Sequence, residues 1–474
     1  MSCWLGSWLR IEWIGRDQSP LRSGSTPPMA RVPRTSVVAP SPAGAALHEC
    51  SFPLTYLDAL WLHVPPVDGV LFYRDATSDV LPNLADSLSR ALGAFYPLAG
   101  RLRLTSGTHN RYELHYQPGD GVTFTVAEYS NHHVGFDELA TDDPTEVAKI
   151  VPLVPPLPEG GAVLAVQATV LRGGLAIGVT VHHAACDGVS STHFLRTWAW
   201  AAAAAACRGA STPEPPFLDR SVIRARDDLY DTFRVPMLPS NDDDDNGGGG
   251  KLLATFTLSR EHLQSIKDVV AREAERRGVP RPRSTSIIAA FGFVWQCYVR
   301  AKPGSTAASC CSARAYFLFP ADHRARLEPP VPDEYLGNCL GPCFASAPGE
   351  DVGAAGADGL FAACAAIAMT IDGVVRGGAA CWDGWMERIT EAYSAGGMLL
   401  TVAGSPRFRV YDTDFGFGRP AKVDVVSAAR TGSISVAEAR GGGGSGVEVG
   451  ISLPACSMEC FSECFADAIA CLSS

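Results

Sequence analysis

Apolar residues recur along this chain with two periods. Over residues 81–100, LPNLADSLSRALGAFYPLAG, Leu84, Leu88, Leu92 and Phe95 fall three or four apart. That spacing predicts one face of a helix, closed near Pro97 and Gly100. RYELHYQ and VTFTVAEY alternate apolar and polar positions and predict strands. AVLAVQATVL and LAIGVTVHH are β-forming runs parted by Arg172-Gly173-Gly174, which predicts a hairpin ending on two histidines. STHFLRTWAWAAAAAAC then reads as a helix, its alanine tract Ala201 to Ala206 included, with Ser190 or Ser191 as N-cap. The later half alternates in the same way. LSREHLQSIKDVVAREAERRG is an amphipathic helix on Leu263, Ile266 and Val270, capped by Ser259 and ended by Gly278. IIAAFGFVWQCYV reads as an apolar helix, and AYFLFPAD, FRVYDTDFGFG and GVEVGISLP as strand regions. The run Gly441 to Gly444 predicts a hairpin loop.

The pattern lapses at residues 240–250, SNDDDDNGGGG, an acidic run followed by glycines. A chain of 474 residues exceeds what one core usually serves, so this stretch predicts a flexible linker between two domains, 29–239 and 251–474. Residues 1–28 read as a disordered or mis-assigned extension, with Met29 as the natural start. They lack the basic start, apolar centre and cleavage site of a secretory signal, so cytoplasm is the expected compartment. No run of about 18 uncharged apolar residues appears, and no membrane span is expected. A net charge of −11 argues against nucleic acid as a partner. The 15 cysteines are dispersed among apolar stretches and are expected to be reduced, buried and small. Cys456, Cys460 and Cys464 stand at steps of four beside Phe461, Phe465 and Ile469. Core packing fits this better than zinc, because no CxxC pair or flanking histidine accompanies them.

Chemistry concentrates in residues 182–190, HHAACDGVS. His183 stands where a strand meets a loop, a position from which a side chain can face a cleft. Asp187 and Gly188 follow in a tight turn, where glycine tolerates a reversed backbone sign. Adjacent strand residues point to opposite faces, so only one of His182 and His183 can serve a given cleft, and no metal site is expected. A neutral imidazole suits proton removal from a hydroxyl near pH 7. GxSxG, GK[ST] and GxGxxG motifs are missing, which leaves base-assisted transfer without a covalent intermediate or a nucleotide cradle.

His183-Ala184-Ala185-Cys186-Asp187-Gly188 matches HxxxDG, and Asp414-Phe415-Gly416-Phe417-Gly418 matches DFGWG with Phe417 in place of Trp. In this order, about 230 residues apart, the pair resembles the plant BAHD acyltransferases, which use acyl-CoA donors. The likeness runs from Thr55-Tyr56-Leu57-Asp58 through FYPLAGRL to the C-terminal helix. YLGNC (335–339) and GSPRFRVYDTDFGFG (404–418) are similar to the branch that acylates flavonoid, anthocyanin and phenolic glycosides, many of whose members use malonyl-CoA.

The resemblance implies an α/β protein of two chloramphenicol-acetyltransferase-like domains with mixed sheets and a solvent channel between them. It implies His183 and Asp187 as the catalytic-motif pair, His183 as general base. Asp187 invites a dyad reading in which it orients the imidazole, whereas the family places it pointing away to pair with an arginine, Arg324 rather than Arg326. Gly188, Arg324, Asp414, Gly416 and Gly418 then give structural support, and Ser284, Thr285 and Arg407 contact CoA. Acyl-CoA is a co-substrate and no permanent cofactor is implied. The expected partners are acyl-CoA and a small phenolic glycoside, met by a monomer. Alternatives are a hydroxycinnamoyl- or acetyl-CoA-dependent enzyme acting on another alcohol or amine, a peptide-assembly condensation domain, which would need carrier modules, and a catalytically silent ligand-binding relative.

Overall fold

Two mixed sheets organise the chain in a computed structural model. It describes residues 33–472 apart from 43, 45, 130–133, 205–211, 236–249, 303–313, 378–381, 383, 395–397 and 442–445. The extension 1–28 and nearly all of the linker 240–250 therefore lie outside the described residues. The first sheet has six strands in the order Arg34–Val38, Val122–Glu128, Leu164–Leu171, Gly174–Val181, Val67–Arg74 and Lys422–Asp424. The second has seven, in the order Leu340–Pro348, Arg314–Asp322, Leu399–Gly404, Ile434–Glu438, Val447–Pro454, Lys251–Leu258 and Thr145–Glu146. Each sheet takes its last strand from the other half of the chain. Lys422–Asp424 pairs with Val67–Arg74, and Thr145–Glu146 with Lys251–Leu258.

The strand Gly174–Val181 is buried along its whole length, paired antiparallel on both sides. A strand covered on both faces reads as a continuous apolar run, which is why GLAIGVTV shows no alternation. Its end delivers the two histidines to the helix Gly188–Ala203. That helix packs on Leu81–Ala94, where the Trp198 indole donates to the Leu84 carbonyl at 3.1 Å.

Two expectations are corrected. FRVYDTDFGFG forms no strand. It makes the short 3-10 turns Pro406–Phe408 and Val410–Asp412 and then an irregular loop. Left-handed backbone at Arg409, Gly416 and Gly418 is incompatible with a pleated strand. The cysteines of the terminal helix Ala455–Leu472 are not core residues. Phe461 and Phe465 fill the core against Phe256, so Cys456 and Cys460 face solvent and Cys464 is half-buried. Cys186, Cys297, Cys339, Cys343 and Cys364 are buried as expected. The helix Ala357–Gly377 is long and apolar enough to cross a membrane by length and composition, with Asp358, Asp372 and Arg376 within it. Here its inner face, Leu360, Ala363, Cys364 and Ile367, packs in the core of the second sheet.

Candidate active site

His183 sits two residues beyond the strand end at Val181 and remains partly exposed. The ring lies flat against Trp61, with centroids 3.8 Å apart and planes 5° from parallel. Nδ1 is buried and makes no hydrogen bond. Burial holds the imidazole below its usual pKa of 6.5, against the opposing charges of Asp187 and Asp58. His182 turns elsewhere. Its Nδ1 accepts from the Ala184 amide at 3.2 Å, and burial beside His183 and His63 lowers its pKa to about 4.

Asp187 makes no hydrogen bond to the imidazole. Its carboxylate receives Arg324 in a two-pronged pair at 2.9 and 3.0 Å, the Cys339 amide at 3.0 Å and the Ser190 amide at 3.0 Å. Arg324 is buried, and Arg326 is exposed on the neighbouring Asp322 carbonyl. The bond to the Ser190 amide makes Asp187 the N-cap of the helix Gly188–Ala203, in place of Ser190 or Ser191. Ser190 instead donates to the Tyr335 carbonyl at 2.7 Å.

Gly188 is required for space, not for a reversed backbone sign. Its φ is not among the left-handed ones, and a Cβ there would stand 2.5 Å from the Phe408 ring. Gly188→Ala is expected to lower the melting temperature, by about 1–3 kcal/mol of stability. Adding Phe408→Ala should recover much of that loss, and calorimetry of the single and double variants measures it.

The residues that sequence reasoning left without a role centre on Asp58, which is fully buried. It closes a capping box with Thr55 on the short helix Tyr56–Ala59. It also receives Arg220 at 2.6 Å and the backbone and side-chain amides of Asn338 at 2.9 and 3.0 Å. Arg220 reaches the Ala185 carbonyl at 3.1 Å, and Asn338 the His183 carbonyl at 3.0 Å. The loop that carries His183 is thus held from both flanks by groups that meet on one carboxylate. Thr55-x-x-Asp58 is a readable capping signal, but nothing local marks Arg220.

In the DFGFG stretch Asp414 accepts from the Gly416 and Gly418 amides at 2.8 and 3.0 Å. Both glycines have positive φ, of 95° and 105°. Phe415 packs edge-on to Trp198 with centroids 4.7 Å apart, and Phe417 on Tyr73 at 5.0 Å. The motif braces the helix behind the loop and touches the imidazole nowhere among the described contacts. Thr285 caps the helix Ser286–Ala301, with Ser284 just before it and Lys267 bonded to Ser286. Arg407 is exposed, and next to it Phe408 covers Gly188 and accepts from Arg196 at 2.6 Å. Among the described residues no hydrogen bond joins Ser284 or Thr285 to Arg407 or to the loop. The expected CoA contacts are therefore not brought together as the Asp187–Arg324 pair is.

Two α/β bodies that exchange edge strands, with a histidine presented from a strand end and an aspartate locked to an arginine beneath it, define an enzyme of acyl transfer. A model described as Transferase family matches residues 31–468, and the chain belongs to that family, the BAHD acyltransferases. It is 30% identical to the malonyl-coenzyme:anthocyanin 5-O-glucoside-6'''-O-malonyltransferase of Salvia splendens, over 90% of this chain and 93% of that one. It is 32% identical to phenolic glucoside malonyltransferase 1 of Arabidopsis thaliana, over 85% and 90%. The fold is that of vinorine synthase, with a TM-score of 0.65, 20% identity and 90% and 95% of the two chains covered.

Proposed function

We propose that this enzyme moves a malonyl group from malonyl-CoA to a sugar hydroxyl of a flavonoid, anthocyanin or other phenolic glycoside, with His183 as general base. The likeness to glucoside malonyltransferases along nearly the whole chain carries the choice of donor and acceptor. A partly exposed imidazole just beyond a strand end, with no hydrogen bond to its Nδ1, supports the chemistry.

In this mechanism Nε2 takes the hydroxyl proton as the oxygen attacks the thioester carbonyl carbon, and a tetrahedral oxyanion forms. Its collapse breaks the carbon–sulfur bond and expels the CoA thiolate, which takes the proton back from Nε2. The products are the malonyl ester and CoA. A base of lowered pKa is neutral, and so competent, across the physiological range. Arg407 and the helix end at Ser284–Thr285 are proposed to meet the charged parts of CoA. Asp187 supports the loop without exchanging protons. Cysteines that form no disulfide among the described residues are consistent with a reducing cytoplasm, where the enzyme is proposed to work as a monomer.

A donor panel tests the reading. Purified enzyme is given malonyl-, acetyl- and coumaroyl-CoA with a flavonoid glucoside, and product mass is recorded. Malonyl ester should dominate, whereas predominant coumaroyl or acetyl transfer would overturn the donor.

A further inference from the structure

The imidazole of His183 is sandwiched on one face by a residue that no catalytic motif contains. Trp61 lies in the turn after the helix Tyr56–Ala59, and its amide donates to the Asp58 carbonyl at 3.0 Å. Asp58 is the same residue that receives Arg220 and Asn338, which in turn bond the Ala185 and His183 carbonyls and so tie this turn to the loop that carries His183. The spacing Asp58-x-x-Trp61 therefore converts a buried electrostatic anchor into a fixed position for an indole. At 3.8 Å and 5° the two rings are in full face contact. The Trp61 Nε1 makes no hydrogen bond, so the face of the ring is what it offers the site.

We infer that Trp61 is a positioning residue for the acyl-transfer reaction, holding the imidazole plane and stabilising the imidazolium that forms as the acceptor hydroxyl loses its proton. This rests on His183 being the general base. A flat stack removes the ring's freedom to swing about its side-chain bonds, which keeps Nε2 aimed at one point. The electron-rich face of an indole is the strongest aromatic partner for a cation, more so where water is excluded. The charge on His183 exists only between proton abstraction and its return to the thiolate. A cation–π contact is therefore stronger in the transition state than in the resting site, the condition for raising kcat. The other charges facing the imidazole are Asp187 and Asp58, neutralised by Arg324 and Arg220, and the neighbouring His182. Neither carboxylate bonds to the ring, which leaves the indole as its one face-to-face partner among the described ring contacts.

Two variants and a titration test this. Trp61→Leu keeps the site apolar but removes the π face, and Trp61→Phe keeps a weaker one. Trp61→Leu should lower kcat roughly three- to thirtyfold, the range of a desolvated cation–π contact, and Trp61→Phe by less. KM for both substrates should change less than about twofold, since neither touches the indole in this assignment. The acid limb of kcat should move to lower pH in Trp61→Leu, because the protonated ring has lost its partner. Wild-type kcat with an unmoved limb in Trp61→Leu overturns the inference, as does a rise in KM as the main effect in both variants.

The titration needs no substrate and so separates this inference from the choice of donor. Imidazolium quenches a stacked indole, so fluorescence of the wild-type enzyme should fall in a step as pH drops through the His183 pKa. That step should vanish in Trp61→Phe and in His183→Ala. Its survival in Trp61→Phe overturns the stack even if the Leu variant fails to fold. Its loss in both variants, with donor preference unchanged, establishes the pairing.

Discussion

Replacing His183 by alanine is expected to lower kcat about 10²–10⁴-fold, the contribution of a positioned general base, while the protein stays folded. The ring is partly exposed and its Nδ1 satisfies no neighbour, so truncation leaves no buried partner orphaned. The residual rate should lose the acid limb seen in the wild type. That limb should lie below the 6.5 of an ordinary imidazole, because burial disfavours the charged form. CoA release followed with a thiol reagent, over a pH series, measures both. Equal release by the variant and the wild type would remove His183 from the reaction.

Asp187→Ala is expected to fail differently. The substitution strands a guanidinium that is buried and leaves the Cys339 and Ser190 amides without their acceptor. Breaking one side of a buried ion pair costs about 3–5 kcal/mol, a large share of the stability of an ordinary domain. Loss of soluble protein, or a lowered denaturation midpoint in urea, should accompany loss of activity. A soluble variant of normal stability and no activity would instead restore Asp187 as a partner of the imidazole. Thus the two residues of HxxxDG separate by experiment, one into rate and the other into folding.

Much of this arrangement was legible in the sequence, and the exceptions share a cause. The continuous run before His183 reported a strand covered on both faces, and Ser259 and Gly278 marked the ends of the helix Arg260–Arg277, as found. The likeness to known transferases named Arg324 as the partner of Asp187, which composition or period would not reveal. Asp58 stood within a quoted stretch without a role, because its partners lie 162 and 280 residues away. Periodicity reports which way a residue faces, and cannot report what a distant strand brings to meet it. Trp61 was hidden for the same reason. Gly188 was misread because two explanations of a glycine in a turn, backbone sign and steric room, give the same letter. The cysteine stripe of the last helix was misread because a stripe of four-residue steps has a neighbouring stripe one position on, and the aromatic one took the core.

The reciprocal edge pairing has a consequence for how the molecule is made. The first sheet is not complete until Lys422–Asp424 adds to it, long after its other strands, the last of which ends at Val181, have been made. The seat beneath the imidazole likewise waits for Arg324, Asn338 and Cys339. For most of its synthesis the nascent amino-terminal half carries an unpaired strand edge, a surface that invites sticking to other chains. The loop that carries His183 therefore gains its full set of braces only after residues 324–339 have been made.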